Sequence, residues 1–444
     1  MEDIFKSYDI RGIYPTQINE QIVYKIGQAY AQFFDAKKVV IGRDMRTSSP
    51  ALAKALVQGL VDKGCDVIDV GMCSTPMFYF AVGKGNYDGG LIITASHNPG
   101  AYNGIKVCRQ RAMPVGLDTG LAEIKKLTEQ VIKNAEKKGE IEKKDIGEEY
   151  SKHVWAFVNK ERIKNKKVVV DCGNGMAGVT ELNILKQLDC ELIVLYEKPD
   201  GTFPNHEADP VKEKNLEKLK EEVKKQKADV GIAFDGDCDR VVFVDENAET
   251  VDGSLTAALI ASELLKNKPK AKVVYSVIMS KIVPEKVLQC GGIPVLNRVG
   301  HACIKKTMNA ENALFGAEKS GHFYYRENYN AESSVITILK VLELICTMDM
   351  PLSKLVEPLK RYATSEETNF EVKEKDKIIE NVKRYYTGKN ARIQEIDGVT
   401  IEFDDWWCNI RKSNTEPLLR LNIEANNKQL LKEKMEELKK FIVR

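Results

Sequence analysis

The sequence predicts an α/β fold in which one strand–helix–strand unit occurs three times before a smaller α+β segment. Runs of β-branched residues alternate with amphipathic stretches, which is the pattern of parallel sheets covered by helices. The pattern recurs at a spacing of about 100 residues, too long for a solenoid repeat, and it changes after about residue 365. A chain of 444 residues is also too long for one hydrophobic core, so we expect several domains.

Each copy of the repeated unit begins with a strand, continues through a helix of a few turns and ends in a second strand. This alternation predicts parallel strands joined by right-handed crossovers. The three copies are residues 37–71 (KKVVIGRD to CDVIDVG), 166–196 (KKVVVDCGNG to CELIVLY) and 271–300 (AKVVYSV to IPVLNRVG).

A further strand and a polar loop follow each copy. These segments are GGLIITASHNPGAYNGIKV (89–107), ADVGIAFDGDCDRVVFV (228–244) and NALFGAEKSGHFYY (312–325). Because open α/β sheets bind ligands at the ends of their strands, we expect the three loops to serve one shared site.

Two charged stretches between the copies, residues 122–138 and 211–227, are predicted to be solvated helices, because Glu and Lys alternate along them. After residue 365, a helix, four strands and a closing helix predict a small α+β domain. The predicted domain boundaries are 1–148, 149–252, 253–364 and 365–444.

Composition excludes several functional classes. A net charge of only +2 gives no sign of a nucleic-acid or anionic-membrane partner. No run approaches the roughly 20 apolar residues of a membrane span, and the N-terminal residues lack the pattern of a signal peptide. The ten cysteines are scattered through apolar segments without a CxxC pair, which favours reduced thiols and a cytoplasmic protein.

DGDCDR places Asp235, Asp237 and Asp239 at alternating positions between two strand-like segments. Three carboxylates this close repel one another unless a cation lies between them, and all-oxygen ligands favour Mg²⁺ over zinc. An EF-hand is the competing interpretation, since Glu246 is the twelfth residue from Asp235. The sixth is Arg240, however, where the calcium loop needs glycine, so we prefer a Mg²⁺ site.

TASHNPGAYNGIK (94–106) offers a hydroxyl, an imidazole and a lysine in a loop rich in turn-forming residues. The apolar run before Ser96 would hold this hydroxyl rigidly at a strand end. No GxSxG elbow surrounds it, so a hydrolase-like triad is not indicated.

Two further loops are ambiguous by themselves. RKSNTEP (411–417) combines a guanidinium, hydroxyls and turn amides that suit a phosphate, but it also fits a plain polar hairpin. GAEKSGH (316–322) offers groups that can pair with sugar hydroxyls. Of the five histidines, His97, His301 and His322 lie in or beside the polar loops, which favours a functional role for them.

GNGMAG (173–178) is a competing signal, because it matches a dinucleotide-binding fingerprint, with Glu197 at the end of the next strand. Glycines also permit tight strand-to-helix turns. A dehydrogenase would leave the other polar loops unexplained, so we rank this interpretation lower.

Five motifs in order, YDIRG (8–12), TASHNPGAYNGIK, DGDCDR, AEKSGH and RKSNTEP, resemble the α-D-phosphohexomutase family, most closely its phosphomannomutase/phosphoglucomutase group. The resemblance covers nearly the whole chain. It implies three related α/β domains with mixed sheets and a C-terminal α+β domain around a central cleft, and glycines of GNGMAG that serve the fold.

The resemblance also implies the roles of individual residues. The implied catalytic residues are Ser96, which carries the phosphoryl group, Lys106 as the general base, and His97 and Arg11 beside the reacting phosphoryl. The implied ligands of Mg²⁺ are phosphorylated Ser96, Asp235, Asp237 and Asp239. The implied substrate-binding residues are Tyr8, Arg240, His301, Glu318, Ser320 and His322, together with Arg411, Ser413, Asn414 and Thr415 for the phosphate that is not transferred.

The implied reaction interconverts hexose 1-phosphate and hexose 6-phosphate, of mannose or glucose, through a hexose 1,6-bisphosphate. The expected partners are small sugar phosphates, without nucleic acid or membrane, and the expected state is a monomer or homodimer. Two residues depart from the family pattern: Cys238 replaces the usual glycine of DGDCDR (235–240, called the metal loop), and Lys319 replaces a frequent methionine of AEKSGH (317–322, called the sugar loop). Phosphoglucosamine mutase is the main alternative. An NAD(P)-dependent oxidoreductase and a non-catalytic sugar-phosphate-binding protein are weaker ones.

Overall fold

The structure, a computed structural model, describes residues 4–413 and 418–442. Four β-sheets follow one another along the chain. The first three contain both parallel and antiparallel pairs, whereas the fourth is antiparallel. The α/β class with mixed sheets that the sequence predicts is confirmed.

The first unit contains strands β1 (Ile10–Ile13), β2 (Lys38–Arg43), β3 (Asp66–Met72), β4 (Gly89–Ile93), β5 (Tyr102–Arg109), β6 (Met113–Pro114) and β7 (Ile141–Lys143), and helices α1 (Glu20–Phe33), α2 (Ser49–Asp62), α3 (Thr75–Lys84) and α4 (Leu121–Thr128). Its strand order is β1-β5-β4-β2-β3-β7, with β6 paired to β5.

The second unit contains α5 (Gly147–Trp155), β8 (Lys164–Asp171), α6 (Glu181–Leu185), β9 (Asp189–Leu195), α7 (Glu217–Gln226), β10 (Val230–Phe234), β11 (Val241–Asp245) and β12 (Thr250–Val251). Its strand order is β12-β11-β10-β8-β9.

The third unit contains α8 (Gly253–Lys266), β13 (Lys272–Ser276), α9 (Ile282–Gln289), β14 (Ile293–Asn297), α10 (His301–Glu311), β15 (Phe315–Ala317), β16 (Phe323–Tyr325), β17 (Ala331–Glu332), α11 (Ser334–Met348) and α12 (Leu352–Val356). Its strand order is β14-β13-β15-β16-β17.

The fourth unit contains β18 (Ala363–Thr364), β19 (Thr368–Phe370), α13 (Lys375–Thr387), β20 (Arg392–Gln394), β21 (Val399–Glu402), β22 (Trp406–Lys412), β23 (Leu419–Ala425) and α14 (Lys428–Ile442). Its strand order is β18-β23-β22-β21-β20, with β19 paired to β23.

The first three units share one topology. In each, a central strand has a parallel neighbour on both sides: β3 and β4 beside β2, β9 and β10 beside β8, and β14 and β15 beside β13. The chain then turns back into an antiparallel strand, from β4 to β5, β10 to β11 and β15 to β16. The three polar loops are these turns, so each occupies the same position in its unit.

The predicted helix over residues 122–138 is too long. Helix α4 ends at Thr128, and the chain then runs to β7, which adds a parallel strand beside β3 at the edge of the first sheet. Beyond Thr128 few residues are apolar: Ile132 packs against the core of the first unit, but Val131 is fully exposed. The helix predicted over residues 211–227 is shorter as well, since α7 begins at Glu217.

The first three units share a continuous apolar core, whereas the fourth has a core of its own around Trp406, Ile423 and Tyr386. Polar links join the fourth unit to the third, such as the Lys281 amide that donates to Glu424 over 3.0 Å. Among the helices of the described ranges, none is long and apolar enough to cross a membrane.

Candidate active site

Side chains from the three polar loops meet. The hydroxyl of Ser96, in the β4–β5 loop, donates to Asp235 Oδ2 in the β10–β11 loop over 2.7 Å. From the β15–β16 loop, His322 Nε2 lies 3.3 Å from Asp239 Oδ1. Loops far apart in sequence thus converge on a single group of buried polar side chains.

Ser96 follows β4 in a left-handed backbone conformation, with φ +51°. A non-glycine residue is held there only when its surroundings fix it, and such residues concentrate at functional sites. Its amide donates to Thr94 Oγ1 over 2.9 Å, and its hydroxyl lies 3.2 Å from His97 Nδ1. Burial and the nearby guanidinium groups of Arg240 and Arg11 lower the pKa of His97 far below its usual value. This lowering favours the neutral imidazole, in which one ring nitrogen can donate a hydrogen bond and the other can accept one.

Arg46, which none of the sequence motifs includes, fixes the backbone of this loop. Its guanidinium donates to the carbonyls of Ser96 (2.8 Å), Pro99 (2.8 Å) and Tyr102 (2.9 Å), and it pairs with Asp44 at 3.2 Å. Arg46 is only 1% exposed, although arginine is rarely buried without such partners. The sequence does offer one signal for Arg46: in IGRDMR, charged residues directly follow an apolar strand, where a binding loop is expected.

Glycine is required where the metal loop approaches Ser96. A Cβ at Gly236 would lie 2.5 Å from the Ser96 carbonyl oxygen, closer than a Cβ can come. The absence of a side chain at Gly236 therefore lets the loops of the first and second units touch.

The carboxylates of Asp235, Asp237 and Asp239 are at most 3% exposed, and each offers an oxygen within 4.8 Å of the other two. Among the residues described, Asp237 Oδ1 has no hydrogen-bond partner, and Asp239 Oδ1 faces His322 Nε2 at 3.3 Å. Burial and the two neighbouring carboxylates raise the pKa of Asp235. Buried, crowded oxygens with unused acceptor capacity are the donor set of a hard divalent cation, so the residues fit such an ion.

Lys106, on β5, lies against the same carboxylates. Its ammonium donates to Asp237 Oδ2 over 2.7 Å and to Asp239. Burial disfavours the charged amine, but the two carboxylates outweigh it and raise the pKa of Lys106 above its usual value. Burial likewise opposes ionisation of Asp239, yet Lys106 and His322 hold the pKa of that carboxyl well below its usual range.

Hydrogen bonds hold the side chains of the sugar loop, which joins β15 to β16. Glu318 Oε1 accepts from the Gly300 amide over 2.7 Å, and Oε2 accepts from the Tyr324 hydroxyl over 2.6 Å. The hydroxyl of Ser320 lies 2.8 Å from His322 Nδ1. Arg240 Nε lies 3.3 Å from His322 Nε2, which links this loop to the metal loop.

Three further predicted residues lie around the loops. Arg11 pairs with Asp9 at 2.7 Å and directs its Nη1 to the Ala95 carbonyl at 3.5 Å, one residue before Ser96. Tyr8 donates to the Val299 carbonyl over 3.0 Å, and its ring lies edge-on to that of His301 with centroids 5.9 Å apart.

Arg411, near the end of β22, forms an ion pair within the fourth unit. Its guanidinium donates to Glu367 over 2.9 Å, and Glu367 also pairs with Arg420 at 3.0 Å. The Ser413 amide donates to the Leu418 carbonyl over 2.9 Å. The predicted phosphate-binding residues Asn414 and Thr415 lie outside the described residues. Lys319 Nζ, which donates to the Ser365 carbonyl over 3.0 Å, links the sugar loop to the fourth unit.

GNGMAG is a packed turn. The Met176 amide donates to the Gly236 carbonyl over 2.9 Å, and a Cβ at Gly178 would lie 1.8 Å from the Glu197 carbonyl oxygen. The helix that follows, α6, has only five residues. Gly178 therefore packs against the segment after β9, whereas Gly175 packs against Gly236 of the metal loop, where a Cβ would lie 2.7 Å from the carbonyl oxygen.

Comparison with known proteins agrees with the four-sheet architecture. Models of the phosphoglucomutase/phosphomannomutase family match in series: α/β/α domain I over residues 2–135, α/β/α domain II over 148–249, α/β/α domain III over 252–362 and the C-terminal domain over 367–441.

Similar proteins align with this chain over nearly its whole length. A phosphomannomutase of Methanocaldococcus jannaschii is 39% identical over 99% of this chain and 98% of its own, and one of Escherichia coli K12 is 37% identical over 95% and 94%. The crystal structure of a phosphoglucomutase/phosphomannomutase family protein from Burkholderia thailandensis superposes with a TM-score of 0.91 at 30% identity, covering 99% of this chain and 97% of that one. The chain therefore belongs to the phosphoglucomutase/phosphomannomutase family and is a phosphohexomutase, an intramolecular phosphotransferase.

Proposed function

We propose that the enzyme interconverts the 1-phosphate and 6-phosphate of mannose, glucose or both, with Ser96 as the carrier of the phosphoryl group. The observation that carries the proposal is the placement of Ser96: a buried hydroxyl, in a constrained backbone conformation, 2.7 Å from one of three clustered carboxylates. A phosphoryl group on this hydroxyl would lie beside the three carboxylates. A cation bound there would offset the negative charge of the phosphoryl group and of the carboxylates.

Asp235, Asp237, Asp239 and the phosphorylated Ser96 would hold Mg²⁺. When bound, the ion neutralises charge on the phosphoryl oxygens during transfer. A solved N-acetylphosphoglucosamine mutase from Aspergillus fumigatus, which shares the fold at 14% identity and a TM-score of 0.64, was crystallised with GlcNAc-6P and magnesium. That complex agrees with a sugar phosphate and a divalent cation as ligands.

The transfer exchanges one phosphate ester for another. The bond between Ser96 Oγ and phosphorus breaks, a bond forms between phosphorus and the free hydroxyl of the hexose monophosphate, and the proton of that hydroxyl leaves. A hexose 1,6-bisphosphate results, which turns end for end and returns its other phosphoryl group to Ser96. His97 and Arg11 lie beside the reacting phosphoryl, where a neutral imidazole and a guanidinium can donate to its oxygens.

Lys106 is the proposed general base. Because Asp237 and Asp239 hold it as an ammonium, it can accept a proton only after those hydrogen bonds are given up. Before that, its charge offsets the carboxylates.

The substrate would lie between the sugar loop and the fourth unit. Glu318, Ser320 and His322 would pair with sugar hydroxyls, with Tyr8, His301 and Arg240 around them, and Arg411, Ser413, Asn414 and Thr415 would hold the phosphate that is not transferred. The domains 1–148, 149–252, 253–364 and 365–444 would close around it. Closure of the fourth would keep water from the phosphoryl group.

The enzyme would act in the cytoplasm as a monomer or homodimer, without nucleic-acid or membrane partners. All ten cysteines are free, which agrees with a reducing compartment.

The proposal is tested by a mutase assay with Mg²⁺ and a trace of hexose 1,6-bisphosphate. Mannose, glucose and glucosamine 1-phosphates are compared by phosphorus NMR. Conversion of the mannose or glucose ester, lost in Ser96→Ala, supports the proposal. Turnover of glucosamine 1-phosphate alone assigns the enzyme to the alternative substrate, and no turnover of any ester contradicts the proposal.

A further inference from the structure

Glu181, at the start of α6, is a buried acid that the proposed chemistry does not use. Its side chain is 0% exposed, and it has no ion pair with Lys, Arg or His in the part of the chain that the structure describes. Its carboxyl oxygens instead accept from the hydroxyls of Ser74 (2.6 Å), Tyr150 (3.4 Å) and Thr180. A buried carboxyl group without a cation partner destabilises the fold when it ionises, so its presence here needs an explanation.

The first partner, Ser74, leads directly to the metal loop. Ser74 caps the N-terminus of α3, accepting from the Met77 amide over 3.3 Å. The next residue, Thr75, donates twice to Asp237: from its amide to the Asp237 carbonyl over 2.9 Å and from its hydroxyl to Oδ2 over 2.7 Å. Glu181, in the second unit, thus fixes the residues of the first unit that hold Asp237.

A second path runs through Cys238, inside the metal loop. This residue has φ +66°, a left-handed conformation that glycine adopts freely and cysteine does not. Its side chain is fully buried against Glu181. Its carbonyl accepts from the Ser334 hydroxyl over 2.6 Å, and its amide donates to the Asp235 carbonyl over 3.2 Å. The thiol interacts with the Glu181 carboxyl group.

We propose that Glu181 is a positioning residue for the metal loop, which it holds at two points, through Ser74 and Thr75 to Asp237 and through the thiol of Cys238. Cys238 and Glu181 act as a pair: the contact with Glu181 offsets the cost of a side chain at the left-handed position. The inference rests on the proposed metal site of the enzyme. It states that Glu181, through these contacts, keeps the three carboxylates at the distances from one another that metal binding requires.

The test measures binding of Mn²⁺ alone to the full-length, unphosphorylated protein, by electron paramagnetic resonance of the free ion. Glu181→Ala should weaken Mn²⁺ binding about tenfold, since residues that orient metal ligands typically contribute 10- to 100-fold. Glu181→Gln keeps an acceptor for Ser74 and Cys238, so it should stay within about threefold of wild type. Glu222→Ala is the control, because Glu222 is also a buried carboxylate of this unit but pairs with Lys218 and Lys225 on α7.

The inference is overturned if the Glu181→Ala protein is folded and binds Mn²⁺ as tightly as wild type. It is also overturned if Glu222→Ala loses as much Mn²⁺ affinity as Glu181→Ala. If Glu181→Ala does not fold, Glu181→Leu takes its place, because leucine fills similar space but accepts no hydrogen bond, and it is tested alone and together with Cys238→Gly. The inference predicts that their effects on the Mn²⁺ dissociation constant are coupled, since both alter one contact, whereas independent effects contradict it. Wild-type protein that binds no Mn²⁺ would instead contradict the proposed metal site.

Discussion

The hydroxyl of Ser96 donates to Asp235 Oδ2 over 2.7 Å, and this hydrogen bond joins the first α/β unit to the second. The two residues are far apart in sequence, yet each lies in the turn that leads into the antiparallel strand of its unit. The threefold repeat therefore explains the site: equivalent turns of related units supply a hydroxyl, a carboxylate cluster and a polar sugar loop to one location.

Lys106→Met should destabilise the protein and reduce turnover. It leaves Asp237 and Asp239 buried without their cation, which costs about 3 kcal/mol of unfolding free energy in the absence of metal. Mg²⁺ should restore part of that stability. Turnover should fall at least about 100-fold, the usual contribution of a general base.

Denaturant unfolding with EDTA or Mg²⁺ measures the first effect, and the mutase assay measures the second. Lys126→Met is the control, because Lys126 forms only an exposed pair with Glu123. It should change stability by no more than about 0.5 kcal/mol. Wild-type turnover in Lys106→Met would contradict the assigned base.

Gly236→Ala should separate the Ser96 loop from the metal loop, because its Cβ would lie 2.5 Å from the Ser96 carbonyl oxygen. We expect kcat to fall at least about 100-fold, since small displacements of catalytic groups are that costly, while the fold is retained. Gly388→Ala is the matched control: its Cβ would come no closer than 3.6 Å to any atom. Kinetics and circular dichroism of the two variants test the prediction, and unchanged kcat in Gly236→Ala would refute it.

Much of this architecture could be predicted from sequence because it depends on short-range pattern. The β-branched runs and the turns between them indicate the strands, and the motif loops fall at their ends. β7 escaped prediction, because its three residues, IEK, are exposed and are defined only by pairing with β3. Arg46 and Glu181 were missed for a related reason: most of their hydrogen-bond partners lie in distant segments, so the sequence around them does not show that they are buried.

Glu181 should make stability depend on pH. Burial raises the pKa of Glu181 to about 7, although the hydroxyls of Ser74 and Thr180 and the thiol of Cys238 oppose the shift. The folded protein therefore holds this proton more tightly than the unfolded chain, so stability is greatest below about pH 4.5 and falls as pH rises to about 7. A rise in the pKa of Glu181 from 4.5 to about 7 corresponds to about 3 kcal/mol of unfolding free energy.

Glu181→Gln cannot ionise and should lack this fall. The difference in unfolding free energy between wild type and Glu181→Gln should therefore change by about 3 kcal/mol between pH 4.5 and 8, in favour of the variant at high pH. Denaturant unfolding at several pH values measures it. A constant difference would show that Glu181 has an ordinary pKa in the folded protein.

Phosphorylation of Ser96 itself is the most direct sign of the proposed reaction. Protein freed of phosphate is incubated with glucose 1,6-bisphosphate and Mg²⁺, and the modified residue is located by peptide mass spectrometry. We predict one phosphoryl group, on Ser96, that passes to added hexose monophosphate and is absent from Ser96→Ala. A phosphoryl group on another residue, or turnover by a Ser96→Ala protein, would contradict the account.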